Sequence, residues 1–309
     1  MKIVENNISV LPFYDSLDRQ HHKKEYAYGA KYPLASYSNF LLPFQIVVVK
    51  EESDNVPNLK SVKKVALMNS RGVQVANLTN SMPGLDIKTH ANSWVVRYPA
   101  SLPTGATLSE GYYYLEITLT YTYEDWEGEE KEDDIVAYSE LFNIRNDVSE
   151  FIKLEYRNEY DLVLDKGVID FSDNFSFYYY FHTDIGKPEY VFEEEATERM
   201  GLSFVECQTS KKVYKFVTIA PEYMCDAMRI IRLCGSRTIK TKGGGEGGVE
   251  YDATSFEMEV KWEEQGDLAS VECSFETDNV ISTVGGFMPA VRRGAYDEKS
   301  FSEDYDIGI

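Results

Sequence analysis

Residues 188–237 read PEYVFEEEATERMGLSFVECQTSKKVYKFVTIAPEYMCDAMRIIRLCGSR, and this stretch decides the fold class. Leu202–Val205 and Val213–Ile219 are rich in β-branched and aromatic residues. They flank the polar segment Glu206–Lys212, a pattern that predicts two paired strands. Pro221 then suits the first turn of a helix, where its missing N–H would be unpaired anyway. Glu222 adds a negative charge at the positive end of the helix dipole. Met224, Ala227, Met228 and Ile231 recur at three- and four-residue spacing and form one apolar stripe. Arg229 and Arg232 lie off the stripe or late in the helix, and Gly235 offers a stop. The spacing predicts a helix over 221–234, of about 14 residues, lying across a β-sheet. It is a packing helix with no catalytic side chain.

Working outward, the rest reads as strand. Phe44–Val49, Val62–Met68, Val73–Asn77, Trp94–Tyr98, Gly111–Tyr123 and Ile135–Ile144 follow one another with no helix between them. GYYYLEITLTYTY (111–123) alternates threonines with Leu115, Ile117 and Leu119, and EDWEGEEKEDD after it reads as a hairpin loop centred on Gly128. The loop lacks the order of a calcium-binding loop. Beyond Arg145–Glu150, read as a domain joint, come Phe151–Tyr156, Leu162–Leu164, Phe175–His182 and Glu189–Phe192, then the helix, then the hairpin Phe256–Trp262 and Leu268–Phe275. FSFYYYFH packs rings on both faces of one strand, so the helix or a neighbouring chain must cover the second face. KGGGEGG (242–248) reads as a flexible loop and matches no phosphate-binding pattern.

The expected architecture is mainly β. Residues 1–45 form an N-terminal arm, 46–147 a first antiparallel β-sandwich-like domain, 148–281 a second one carrying the helix, and 282–309 a C-terminal tail. Both terminal segments are rich in apolar and aromatic residues but have no period that would bury them in one domain. They read as extended arms that pack on a neighbouring copy. Phe13, Tyr14, Phe287 and Tyr296 are the expected interface anchors, since buried rings dominate interface energies.

Charge and cysteine usage narrow the partners. Against 31 Lys and Arg stand 52 Asp and Glu, a net charge of −21. Residues 1–147 hold 14 basic and 20 acidic groups, and 148–309 hold 17 and 32, so the second half is the strongly acidic one. This disfavours direct binding to nucleic-acid backbones or anionic membranes. Cys225 and Cys234 lie about 13 Å apart along a helix, too far for a disulfide, and no cysteine pair has metal-ligand spacing. Reduced, buried thiols suit a protein made in a reducing cytoplasm. The N-terminus has no secretory pattern, and no stretch reaches transmembrane length.

No catalytic motif is present: no G-x-S-x-G, H-E-x-x-H, P-loop or dinucleotide fingerprint. His21, His22, His90 and His182 are scattered. Acidic pairs such as Glu193–Glu195 or Glu263–Glu264 are expected by coincidence in so acidic a chain. The residues point to no enzyme, no cofactor and no metal.

The strings LPFYDSL (11–17), YSELFNI (138–144), FIKLEY (151–156), IGKPEYVFEEEATERMG (185–201), SKKVYKF (210–216), APEYMCDAMRIIRLC (220–234) and EVKWEEQGDLASVECSFETD (259–278) carry a resemblance. The chain resembles structural proteins of phages and prophages of the Bacteroides group, and most of all a tail ring protein of crAss-like phages. The likeness covers most of 135–287 and, more loosely, the first domain. It implies a β-rich, non-enzymatic virion protein that forms a closed ring below the portal of a short tail, twelve-fold by analogy with portals. It also implies contact with portal, neighbouring ring or fibre proteins, no cofactor, and DNA only as passing cargo. A cell-surface adhesin or carbohydrate-binding β-sandwich is the alternative, weakened by the missing signal segment.

Overall fold

The computed structural model describes residues 1–4, 9–20, 34–38, 42–51, 55–99, 108–199, 202–262, 268–277 and 281–284. The protein is mainly β, built from several mostly antiparallel sheets with a single α-helix among the described residues. It divides into two compact units, Met1–Pro188 with Tyr214–Asp278, and Glu189–Val213 with Asn279–Ile309.

In the first unit, a four-stranded antiparallel sheet runs in the order Lys2–Ile3, Phe44–Val49, Ser93–Tyr98, Asp86–Thr89. A second sheet of eleven strands crosses nearly the whole unit. Its path is Glu250–Asp252, Ser236–Lys240, Ile152–Arg157, Phe177–Phe181, Ala35–Ser38, Phe142–Arg145, Gly111–Glu124, Glu130–Ser139, Phe13–Tyr14. Asn55–Asn69 pairs along the free flank of Gly111–Glu124, and Gln74–Asn77 pairs with it in turn.

This sheet removes the domain joint expected at 145–150. Ala35–Ser38 lies parallel to Phe142–Arg145 on one side and pairs Ser36 with Tyr180 on the other. One strand from the first forty residues thus stitches the two halves into a continuous core. The division between units falls instead at the two ends of the 189–213 segment.

The N-terminal arm is likewise corrected. Its described parts are woven into the sheets as strands of two to four residues, with Val10, Leu11, Tyr37 and Leu42 buried. Each strand is too short, and sits in too different a place, for a hydrophobic period to accumulate along the sequence.

The helix spans Glu222–Ile231, with Pro221 as its N-cap in extended geometry. It ends earlier than expected because the N–H groups of Leu233 and Cys234 bond back to the carbonyls of Ile230 and Ile231, tightening the last turn. Tyr223, Met224, Cys225, Ala227, Met228, Ile230 and Ile231 are buried, and the helix lies by Leu268–Glu276. Each large side chain buried there contributes about 1.5–3 kcal/mol. Beside it, Phe177–Phe181 is buried on both faces. Tyr179 and Phe181 meet edge to face with ring centroids 4.2 Å apart, and the Tyr179 hydroxyl lies near the thiols of Cys225 and Cys273. On the opposite face Tyr178 meets Tyr37 and carries Lys153 over its ring at 3.9 Å. The covering expected for the second aromatic face comes from the chain itself.

The glycine-rich loop is not loose. Gly243 is buried at φ 59°, and its N–H donates to the Phe151 carbonyl at 2.6 Å.

In the second unit, Leu202–Pro221 is one continuous strand that also runs into the first unit, so the two short paired strands expected around 206–212 do not form. Its partner over 202–213 is Glu189–Arg199, antiparallel with one register shift between Glu195 and Ala196. Ile281–Val284 pairs with Cys207–Ser210 on the other edge, so the start of the expected tail is a strand.

Candidate functional site

The strand Ser93–Tyr98 is buried at all six positions, and Arg97 is one of them. A guanidinium cannot be left there without counter-charges. Directly opposite, Asp86 takes it in a fork, Arg97 Nε to Oδ1 at 2.9 Å and Nη2 to Oδ2 at 3.2 Å. Nη1 reaches Asp170 Oδ1 at 2.9 Å and the Ser172 carbonyl at 2.7 Å, and Nη2 also meets Asp173. Asp173 is in the left-handed region at φ 55°, a costly conformation for this residue, and there its carboxylate meets both Arg97 and Lys88. Burial opposes the charge on Arg97, but the hydrogen bonds from Asp86 and Asp173 and the Asp170 charge overcome it and hold it protonated.

Asp170 follows the short strand Val168–Ile169, and its side chain is 3% exposed. Gln45 from the four-stranded sheet grips its backbone at both N–H and C=O. Burial works against its ionised form, yet the Ser172 hydrogen bonds, the Arg97 charge and His90 outweigh this, and its pKa lies below the usual carboxylate range. His90 Nε2 stands 3.0 Å from Asp170 Oδ2. Asp161 caps the neighbouring Phe171 N–H at 2.7 Å. His90, Asp161 and Asp170 each bring one ligand-type atom within 4.8 Å of the other two.

In the sequence His90 is one of four scattered histidines, and neither Arg97 nor Asp170 stands out. The available signal was SWVVRY itself, because an arginine inside an apolar strand demands buried acidic partners. A second acidic group, Asp125, Glu127 and Glu129, lies in the turn at Gly128. There Asp125 Oδ1 accepts the N–H groups of Glu127 and Glu129, and Lys131 pairs with Asp125 and Glu129, so the group reads as a solvated, internally paired turn.

The anchors expected for an interface are placed differently. Phe13 is buried against Phe44, with ring centroids 5.1 Å apart, and Tyr14 donates to the buried Glu140 at 3.3 Å. Both are core residues of their own chain, because Phe13–Tyr14 pairs with Tyr138–Ser139 at the sheet edge. Phe287 and Tyr296 lie outside the described residues, as do His21, His22, Glu263 and Glu264. His182 is exposed, 3.4 Å from Glu150 and edge-on to Phe151. Glu193 pairs with Lys211, and Glu194 accepts from Gln208, across the hairpin.

The exposed aromatic surface lies elsewhere. In the strand Glu189–Arg199, residues 190–195 are all solvent-exposed on both faces, with Tyr190 at 60% and Phe192 at 75%. Opposite them, Gln208–Val213 is at most half-buried. The hairpin of the second unit therefore carries apolar rings without a core of its own beneath them over these positions.

Comparison with protein-family models, with curated proteins and with solved structures finds no match for the chain. Among the described residues, no helix is long and apolar enough to cross a membrane.

Proposed function

We propose that the chain is a non-enzymatic structural subunit of a virion, a member of a closed ring in a phage tail below the portal. The observation that carries the assembly role is the hairpin Glu189–Val213, which exposes Tyr190 and Phe192 along a strand solvated on both faces. A narrow ribbon, two strands widened to three only along Cys207–Ser210, is marginal in water without a packed apolar face, and an open strand edge invites another chain. The other long edge, the part of Asn55–Asn69 before its pairing with Gln74–Asn77 at 66–68, is interrupted by three register shifts and carries Lys60 and Lys63 paired to acids, the usual protection against unwanted pairing. Glu189–Arg199 has one shift, and its rings stand where a neighbouring copy would cover them. The placement in a phage tail rests on the sequence resemblance alone.

Size-exclusion chromatography with light scattering on the full chain tests this reading. A closed oligomer is expected, and Tyr190→Ser combined with Phe192→Ser should shift it to protomer without lowering the melting temperature. A monodisperse protomer at high concentration, or an oligomer indifferent to the double substitution, would overturn it.

A further inference from the structure

His90 lies in the turn between the strands Asp86–Thr89 and Ser93–Tyr98, while Asp161 and Asp170 flank the hairpin of Leu162–Val163 with Val168–Ile169, one directly before it and one directly after. The base of this hairpin and the turn at His90 thus converge on one point. Their ligand-type atoms are one imidazole nitrogen and two carboxylate oxygens, all within 4.8 Å of one another. We infer that His90, Asp161 and Asp170 bind a divalent transition-metal ion of the Zn²⁺ class, which clamps these segments together.

The spacing fits. Bonds of about 2.1 Å place neighbouring ligand atoms about 3.0–3.4 Å apart, depending on whether the ion is octahedral or tetrahedral. His90 Nε2 and Asp170 Oδ2 are 3.0 Å apart, the length of one such edge. The remaining oxygens of the carboxylates are held from behind. Asp170 Oδ1 accepts from Ser172 N at 2.9 Å, Ser172 Oγ at 2.6 Å and Arg97 Nη1 at 2.9 Å, which leaves Oδ2 to face His90. Asp161 Oδ1 is occupied by the Phe171 N–H. Outer contacts of this kind orient ligands in metal sites.

Charge balance supplies an independent reason. Asp86, Asp161, Asp170 and Asp173 give four negative charges around this network, against two positive ones from Lys88 and Arg97. With His90 neutral, the excess is 4 − 2 = 2 negative charges, which one divalent ion cancels. The nitrogen ligand favours Zn²⁺ or its neighbours over Ca²⁺ and Mg²⁺, which take oxygen ligands. The inference is independent of the ring reading, since the site lies within a single protomer.

Titration of the full-length protein with ZnCl₂ after EDTA treatment tests it, by calorimetry and by melting temperature. CoCl₂ serves as a probe with visible absorption. One equivalent of Zn²⁺ should bind and raise the melting temperature by several degrees. Asp161→Asn keeps an oxygen for the Phe171 N–H while removing the charge, and it should weaken binding at least tenfold, as should His90→Gln. Both variants should melt like the parent chain in EDTA. Asp125→Asn should leave the one-equivalent binding intact. No stoichiometric binding, or binding unchanged by Asp161→Asn and His90→Gln, would overturn the assignment and leave His90 and Asp170 as a plain hydrogen-bonded pair.

Discussion

Arg97 Nη1 and Asp170 Oδ1 meet at 2.9 Å with their side chains 4% and 3% exposed, tying the four-stranded sheet to the segment after Ile169. Taking either charge away leaves the other buried without its main partner. Arg97→Met should therefore cost about 3–5 kcal/mol, read from denaturant unfolding. Lys60→Met, which removes an ion pair with both partners about half exposed, should cost less than about 1 kcal/mol. Similar losses for the two would show that Arg97 is not held in a desolvated network.

Gly243 and Gly128 both have positive φ but different surroundings. A Cβ on Gly243 would fall 2.6 Å from Val148 Cγ2 and 2.6 Å from the Val148 carbonyl oxygen, whereas a Cβ on Gly128 would meet nothing within 4 Å. Each substitution to alanine carries the left-handed cost of about 1–2 kcal/mol. Gly243→Ala must add a backbone displacement and should be clearly the more destabilising in parallel thermal melts. Equal losses would mean that the 242–248 turn yields freely.

The hydroxyls of Tyr156 and Tyr179 are buried and have no hydrogen-bond partner among the described residues. A buried unsatisfied donor costs about 1–3 kcal/mol, so removing it should not hurt. Tyr156→Phe and Tyr179→Phe are expected to leave stability unchanged or to raise it by about 1 kcal/mol. A drop of that size in either variant would reveal a bonded hydroxyl.

Burial pushes the Cys225 thiol up to about 11 and the Cys234 thiol up to about 12, and it raises Cys273 as well. Burial likewise raises Tyr37, Tyr156, Tyr178 and Tyr179. The folded chain holds these protons more tightly than the unfolded one. Their stabilising contribution is complete below the unfolded thiol value of about 8.5 and is lost as pH rises toward the folded values. Each group adds a slope of about 1.4 kcal/mol per pH unit between its two pKa values. Melting temperature should fall steadily from pH 8.5 to 10.5, and a flat profile would contradict the burial. At pH 8, only the half-buried Cys207 should react with a thiol reagent before unfolding, since Cys225, Cys234 and Cys273 are buried and reduced.

The sequence by itself determined the elements whose pattern is local. Alternation over 111–123, the turn at Gly128, and the proline, acid and stripe of the helix at 222–231 are all set by neighbours a few residues away. The reduced state and burial of three cysteines were legible for the same reason. What only the tertiary structure decided depends on partners far along the chain. Ala35–Ser38 becomes a central strand because Phe142–Arg145 and Phe177–Phe181 flank it, and four residues cannot announce that by any period. Phe13 and Tyr14 look like free anchors in sequence, yet a sheet edge 126 residues away from Tyr14 at Glu140 buries them. Gly243 takes its shape from Val148 and Phe151, not from its own flexible composition. The cluster of His90, Arg97, Asp161 and Asp170 exists only where the strand Ser93–Tyr98 and its turn meet the base of the Leu162–Ile169 hairpin, because hydrogen bonds and charges act through space and leave no spacing rule along the chain.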